Sequence, residues 1–209
     1  MMVNRLKQIP PWVWILALTL VAAALRFYGL GSKSIHGDEF KSVWVITHPS
    51  LRTLWHATFI DMTAGRPPLL YSLLHIIVTI FGFTPAMVRS VSAICGTLAV
   101  PAVFMLVRPR TSQAAALIAA AVLALHPYFI VPSQECRDYA WLLLFSILAT
   151  HFFLRIVWDQ RSEPKTLILY VVSVLAGTWV HHYFWLVVAS HGLYVLITNG
   201  SRKRWFDQI

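Results

Sequence analysis

The residues best suited to chemistry are Asp38 and Glu39, in the stretch Gly37-Asp38-Glu39-Phe40-Lys41. They are adjacent carboxylates in a chain of 209 residues that has only eight Asp and Glu. On a helix, neighbouring side chains do not face each other, so the two cannot share one proton as a like-charge dyad. One can take a proton from a reacting hydroxyl as a general base, while the other orients the loop or meets a cation. Asp38 is equally placed to cap a helix beginning there, since a carboxylate is favoured in a first turn.

A second group lies in Ser133-Gln134-Glu135-Cys136-Arg137-Asp138-Tyr139, where three charged residues crowd a short turn. It reads either as a solvated turn with an internal ion pair or as a phosphate site built on Arg137, a residue type suited to phosphate. Arg66-Pro67-Pro68 begins an apolar segment, and the prolines start a helix whose N-terminus also favours an anion. Arg89 opens a further apolar run as an interface anchor or a site residue. His181-His182 could hydrogen-bond a sugar or, with Asp38 or Glu39, hold a metal, although two adjacent histidines alone are a weak metal signal. His75, His126, His151 and His191 read as ordinary buried or interfacial residues. Cys95 and Cys136 suggest neither a disulfide framework nor a metal site.

The elements that must position these groups are membrane helices. The chain is 58% hydrophobic and 12% charged, with a mean hydropathy of +0.67, whereas a soluble domain is roughly 25% charged. The expected fold is an all-α polytopic membrane protein. Its net charge of +9 sits at the ends of apolar runs, as orientation in a membrane requires, so nucleic acid is not an expected partner. The expected spans are Trp12–Leu30, Ala86–Val107, Ala114–Val131, Tyr139–Val157, Thr166–Val180 and Tyr183–Thr198, giving about six transmembrane helices. The first run is too long for a cleaved signal and is read as an anchor. Arg26, inside its far end, either snorkels or faces a polar cavity.

Residues 31–85 form a long first outer loop with amphipathic interfacial helices, one on the spacing Phe40, Val43, Trp44 and one on Leu51, Leu54, Trp55, Phe59. The apolar segment 67–83 is about 25 Å long as a helix, short of a hydrocarbon core of about 30 Å. Sidedness separates the options. If 67–83 does not cross, the basic connections at Arg108–Arg110, Arg155–Lys165 and Arg202–Arg204 share the cytoplasmic side with Arg5 and Lys7. If it crosses, all three violate the positive-inside rule. It is therefore expected to be half-embedded. The same parity puts Asp38, Glu39, Asp61, Glu135, Asp138 and the His181-His182 pair on the outer side.

In this order, the features resemble a known family. They are Leu25-Arg26-Phe27-Tyr28-Gly29-Leu30, Asp38-Glu39, Arg66-Pro67-Pro68-Leu69-Leu70-Tyr71, Arg89 with Ser92-Ala93 and Gly96, Ser133 through Ala140, and His182-Tyr183-Phe184. Together they resemble the N-terminal half of GT-C membrane glycosyltransferases of the protein O-mannosyltransferase and aminoarabinose-transferase type. The resemblance implies a single module over residues 1–209 in a bacterial inner membrane, with its active site extracytoplasmic. It implies inverting transfer of a sugar from a polyprenyl-phosphate carrier to an acceptor hydroxyl on a glycan, lipid or protein. Asp38 would be the base, and Glu39 would support it or bind acceptor or metal. Arg66, Arg89 and Arg137, with Glu135, Tyr139 and His182, would hold substrate and lipid phosphate. No cofactor is certain; a divalent metal is possible, with Glu39 and His182 as candidate ligands. Relatives often have His or Lys where Arg66 stands. They also run to about twice this length, which implies a partial chain. The alternative is a non-catalytic membrane protein that binds or transports a lipid-linked substrate.

Overall fold

The computed structural model describes residues 10–59, 67–159 and 163–199. Arg66, Asp61, Arg5, Lys7 and Arg202–Arg204, used in the expectations above, lie outside the described residues. Among the described residues there are ten α-helices, one 3-10 turn and no strand. They are α1 (Pro11–Phe27), α2 (Asp38–Ile46), α3 (Leu51–Phe59), α4 (Leu69–Phe81), α5 (Pro85–Val107), α6 (Gln113–Leu125), α7 (Pro127–Ile130), the 3-10 turn Val131–Gln134, α8 (Tyr139–Val157), α9 (Pro164–Val180) and α10 (Phe184–Asn199).

Local sequence explains several starts. Thr84 caps α5 by accepting the Met87 amide, with Pro85 at the first helical position, where its missing N–H costs nothing. Ser112 caps α6 through the Ala115 amide. Gly37 precedes α2 with φ +53°, a backbone region where glycine alone is unstrained. Asp38 is thus the first helical residue rather than the cap, and no side chain caps α2.

Two helices, α5 and α8, are long and apolar enough to cross a membrane. A third candidate is α6 together with α7 and the turn after it, bent by 66°. α1, α4, α9 and α10 are apolar but run only 17, 13, 17 and 16 residues. The expected span Ala114–Val131 is therefore not one straight helix. Pro127 has no N–H to give the Leu123 carbonyl, and the ladder breaks there. Arg26 supplies the missing donors: Nη2 bonds the Leu123 carbonyl at 2.8 Å and Nη1 the Ala124 carbonyl at 3.2 Å. Arg26 is fully buried, so it neither snorkels nor faces an open cavity. It staples α1 to the break in α6.

α5 is the central helix, packed against α1, α6 and α8. The seam is made of small residues: Ala22, Ala93, Ala99, Ala116, Ala120 and Ala124 are all fully buried. Small side chains let membrane helices approach closely. Gly96 is the tightest point, since a Cβ there would sit 2.1 Å from Ser133 Oγ and 2.9 Å from Arg26 Nε.

The two short loop helices form where expected, but their faces differ. In α2 the buried side is Glu39, Ser42, Val45 and Ile46, while Phe40 and Trp44 point outward. In α3, Leu54 is buried, and Leu51, Trp55 and Phe59 form an exposed i, i+4, i+8 stripe. Outward apolar stripes suit helices lying on a membrane surface.

Candidate active site

The site forms where the 30–39 loop and the 135–138 turn are drawn onto the first turns of α5. Three residues on one face of α5, at i, i+3 and i+7, organise it. Arg89 holds the loop, Ser92 donates to the Arg137 carbonyl at 2.9 Å, and Gly96 leaves room for Ser133 and Arg26.

Arg89 is 2% exposed, and all five of its N–H donors have protein acceptors. Nε and Nη2 make a bidentate pair with Glu39, at 2.8 and 2.6 Å. Nη1 donates to the Leu30 and Lys33 carbonyls, and Nη2 also to the Ser34 carbonyl. A guanidinium has five donors, so Arg89 has none left for a phosphate in this arrangement. Glu39 is equally committed: its Oε1 also accepts the Cys136 amide at 2.7 Å, and His36 Nδ1 lies 3.7 Å from Oε2. Burial alone would push the Glu39 carboxyl up. The Arg89 hydrogen bonds, the Cys136 amide and the Arg89 and His36 charges more than offset this and hold it below the ordinary value.

Asp38 is the opposite case. Its side chain is 64% exposed, with Arg137 Nη2 at 3.4 Å and Lys41 Nζ at 3.8 Å. Arg137 is 3% exposed. It donates from Nη1 to the Asp38 carbonyl and from Nη2 to the Tyr139 hydroxyl, each at 3.2 Å, and stands 5.3 Å over the Tyr139 ring. Adjacent carboxylates thus take separate roles, one buried in a clamp and one presented beside a buried cation. Glu135 is half-buried on the same turn, and its charge acts on Arg89.

His182 is exposed and lines a separate cleft with Trp179 and Trp185. Among the described residues no three His, Cys, Asp or Glu come together as a metal site. Neither Glu39 oxygen is free for a metal while Arg89 and Cys136 hold them, and Glu39 and His182 do not form a shared donor set.

Sequence reasoning passed over two groups. Asp138 is 3% exposed, with Oδ1 lacking a hydrogen-bond partner and Oδ2 lying 3.9 Å from His181 Nε2. His181 Nδ1 accepts the Tyr183 amide at 3.0 Å, so in the neutral ring the proton sits on Nε2, facing Asp138. The other is Gln134, whose amide donates to the Leu25 carbonyl at 2.9 Å and the Tyr28 carbonyl at 3.2 Å, closing the end of α1. The signal for Asp138 was its place in a charge-rich turn. The His181-His182 pair stood out in the sequence as well, but nothing in the pattern joined Asp138 to His181.

A profile of the family described as dolichyl-phosphate-mannose-protein mannosyltransferase matches residues 65–209. The chain belongs to this family. The match includes Arg89, Arg137, Tyr139 and His182 and begins after Asp38 and Glu39. A curated protein of Bacillus subtilis (strain 168), named "Putative mannosyltransferase YkcB", is 22% identical over 193 residues, which is 91% of this chain. The chain spans 27% of that relative's length. No solved structure matches. Membership fits the all-helical, apolar architecture of a membrane protein and makes the chain part of a glycosyltransferase family whose name specifies a lipid-linked sugar donor.

Proposed function

We propose that the chain is the catalytic module of a polyprenyl-phosphate-dependent glycosyltransferase, with Asp38 as the general base. The observation that carries this is the split between the two carboxylates: Glu39 is locked to Arg89, whereas Asp38 is exposed beside the buried Arg137 guanidinium. An acceptor hydroxyl attacks the anomeric carbon while the bond from that carbon to the phosphate oxygen breaks. Its proton passes to Asp38, the bonding pair leaves on the phosphate, and the anomeric configuration inverts. Arg137, braced by Tyr139, supplies positive charge where the leaving phosphate gains negative charge, and such stabilisation is commonly the largest catalytic term. Glu39 and Arg89 act by position: they fix the loop that presents Asp38. Arg66, one residue before the described Pro67, is a further candidate for the phosphate.

In this reading the chain crosses a bacterial inner membrane about six times, with the site on the outer face. That sidedness is supported by the basic connections gathering at the opposite ends of α5 and α8. The acceptor is a glycan, lipid or protein hydroxyl. The test supplies polyprenyl-phosphate mannose to membranes holding the wild type or Asp38→Asn. Loss of a general base lowers the transfer rate by about 10²- to 10⁴-fold. Transfer at the wild-type rate by Asp38→Asn would remove Asp38 from this role.

A further inference from the structure

The far ends of α5 and α8 carry a polar cluster that takes no part in the steps above. Both helices are long and apolar enough to cross a membrane. The residues just past Val107 and Val157 therefore lie at its boundary, at the other end of the helices from Arg89 and Arg137. Trp158 marks that level. It is 53% exposed and donates from Nε1 to the Tyr194 hydroxyl, and amphipathic Trp and Tyr gather where lipid headgroups sit.

Arg110 is the centre of the cluster. Its amide donates to the Val107 carbonyl at 3.0 Å and its Nη1 to the Leu106 carbonyl at 2.8 Å, which ties the α5–α6 connection back onto α5. The guanidinium stands 5.9 Å from the centre of the Trp158 ring, and the side chain is only 11% exposed. Asp159 faces it, but Oδ2 is 3.8 Å from Nη2, past hydrogen-bond reach. Among the described residues, Arg110 Nε and Nη2 have no acceptor. His151, buried on α8, is in the same position at Nδ1, and the charges of Arg110, Arg155 and Asp159 all act on it. Arg155 is half-buried and Arg108 exposed.

The cluster is thus rich in donors and poor in acceptors. Leaving donors of a buried cation unpaired is costly, and a ligand with acceptor oxygens removes that cost. Charge favours an anion over water, since Arg108, Arg110 and Arg155 stand against Asp159, while Glu163 and Lys165 at the start of α9 cancel. The guanidinium fork suits phosphate, and basic pockets between membrane helices take the headgroups of anionic lipids. We propose that this cluster is a phosphate-oxyanion site, filled at headgroup depth by the phosphodiester of an anionic phospholipid. The phosphate replaces Asp159, itself 36% exposed, at Arg110 Nη2 and ties the end of α5 to the end of α8. The site holds whether or not Asp38 is the base.

The test places the full chain in nanodiscs of equal phosphatidylglycerol and phosphatidylcholine and reads the retained lipid by native mass spectrometry. The wild type keeps phosphatidylglycerol in preference. Arg110→Gln lowers that preference about tenfold or more, the loss expected of one charge-assisted hydrogen bond. Arg110→Lys, which keeps the charge, retains part of it and controls for folding. Asp159→Asn removes the competing carboxylate and raises it, whereas Arg52→Gln, at an exposed arginine of α3, leaves it unchanged. Hydrogen exchange of residues 108–112 separates the sources. Protection by phosphatidylglycerol alone assigns the occupant to a lipid, and equal protection by inorganic phosphate in phosphatidylcholine discs would overturn that assignment in favour of a free oxyanion. Equal retention of the two lipids by the wild type, an unchanged preference in Arg110→Gln, or a lowered one in Asp159→Asn would overturn the site.

Discussion

Replacing Glu39 with glutamine removes the charge at the centre of the site while keeping its shape. The carboxylate accepts three hydrogen bonds, two from Arg89 and one from the Cys136 amide. Glutamine keeps one acceptor oxygen and turns an NH₂ toward Arg89 donors, leaving a buried guanidinium without its counter-charge. Removing one partner of a buried pair costs about 3–5 kcal/mol. The loss falls first on the 30–39 loop, because Arg89 also holds the Leu30, Lys33 and Ser34 carbonyls. Hydrogen exchange in detergent reads it directly: amides of the loop and of α2 exchange roughly 10²- to 4 × 10³-fold faster, at a factor of ten per 1.4 kcal/mol. Glu39→Gln with Arg89→Met costs less than the two single changes summed, since no unpaired charge remains. The pH dependence has a fixed sign. The folded Glu39 value is depressed, so its stabilisation is complete above the unfolded value of about 4.3 and is lost as pH falls through the lower folded value. Wild-type loop protection therefore drops below about pH 4.3, and the part due to this pair is missing from Glu39→Gln. Unchanged loop exchange in Glu39→Gln would refute the clamp, and with it the positioning role.

Further outcomes follow from single contacts. Arg26→Leu strands the Leu123 and Ala124 carbonyls and destabilises by about 2–6 kcal/mol, at about 1–3 per orphaned group, read as a lower unfolding temperature in detergent. Gly177→Ala drives a Cβ to 2.2–2.5 Å from the Phe184 ring, costs about 1–3 kcal/mol by overpacking, and loosens the α9–α10 connection in hydrogen exchange. Burial pushes the Cys136 thiol up to about 12, and its side chain is fully buried. Maleimide at pH 8 therefore labels it at least on the order of 10³-fold more slowly in the folded protein than after denaturation.

What the sequence made legible and what it hid divide along a physical line. Helix content, the short segment after Pro68 and the separation of Asp38 from Glu39 all follow from local rules: composition, length and the 100° step of a helix. The Glu39–Arg89 clamp joins residues 50 positions apart, and the Arg26 staple reaches across nearly 100. Periodicity carries no information about such partners. The outward turn of Phe40 and Trp44 suits the expected interfacial helix, but the burial of Glu39 on its other face was hidden for the same reason. An amphipathic pattern does not say which face is inside when lipid covers the outside, and here the acidic face is buried because Arg89 waits beneath it. The motif Arg89, Ser92, Gly96 was visible in the sequence, yet its meaning appears only when the three are set on one face of α5. A donor, a hydroxyl and an absent side chain then hold the first loop, the second turn and the α1 staple to one helix. The placement of Asp38 beside Arg137 is therefore a property of α5, a helix that contributes neither residue.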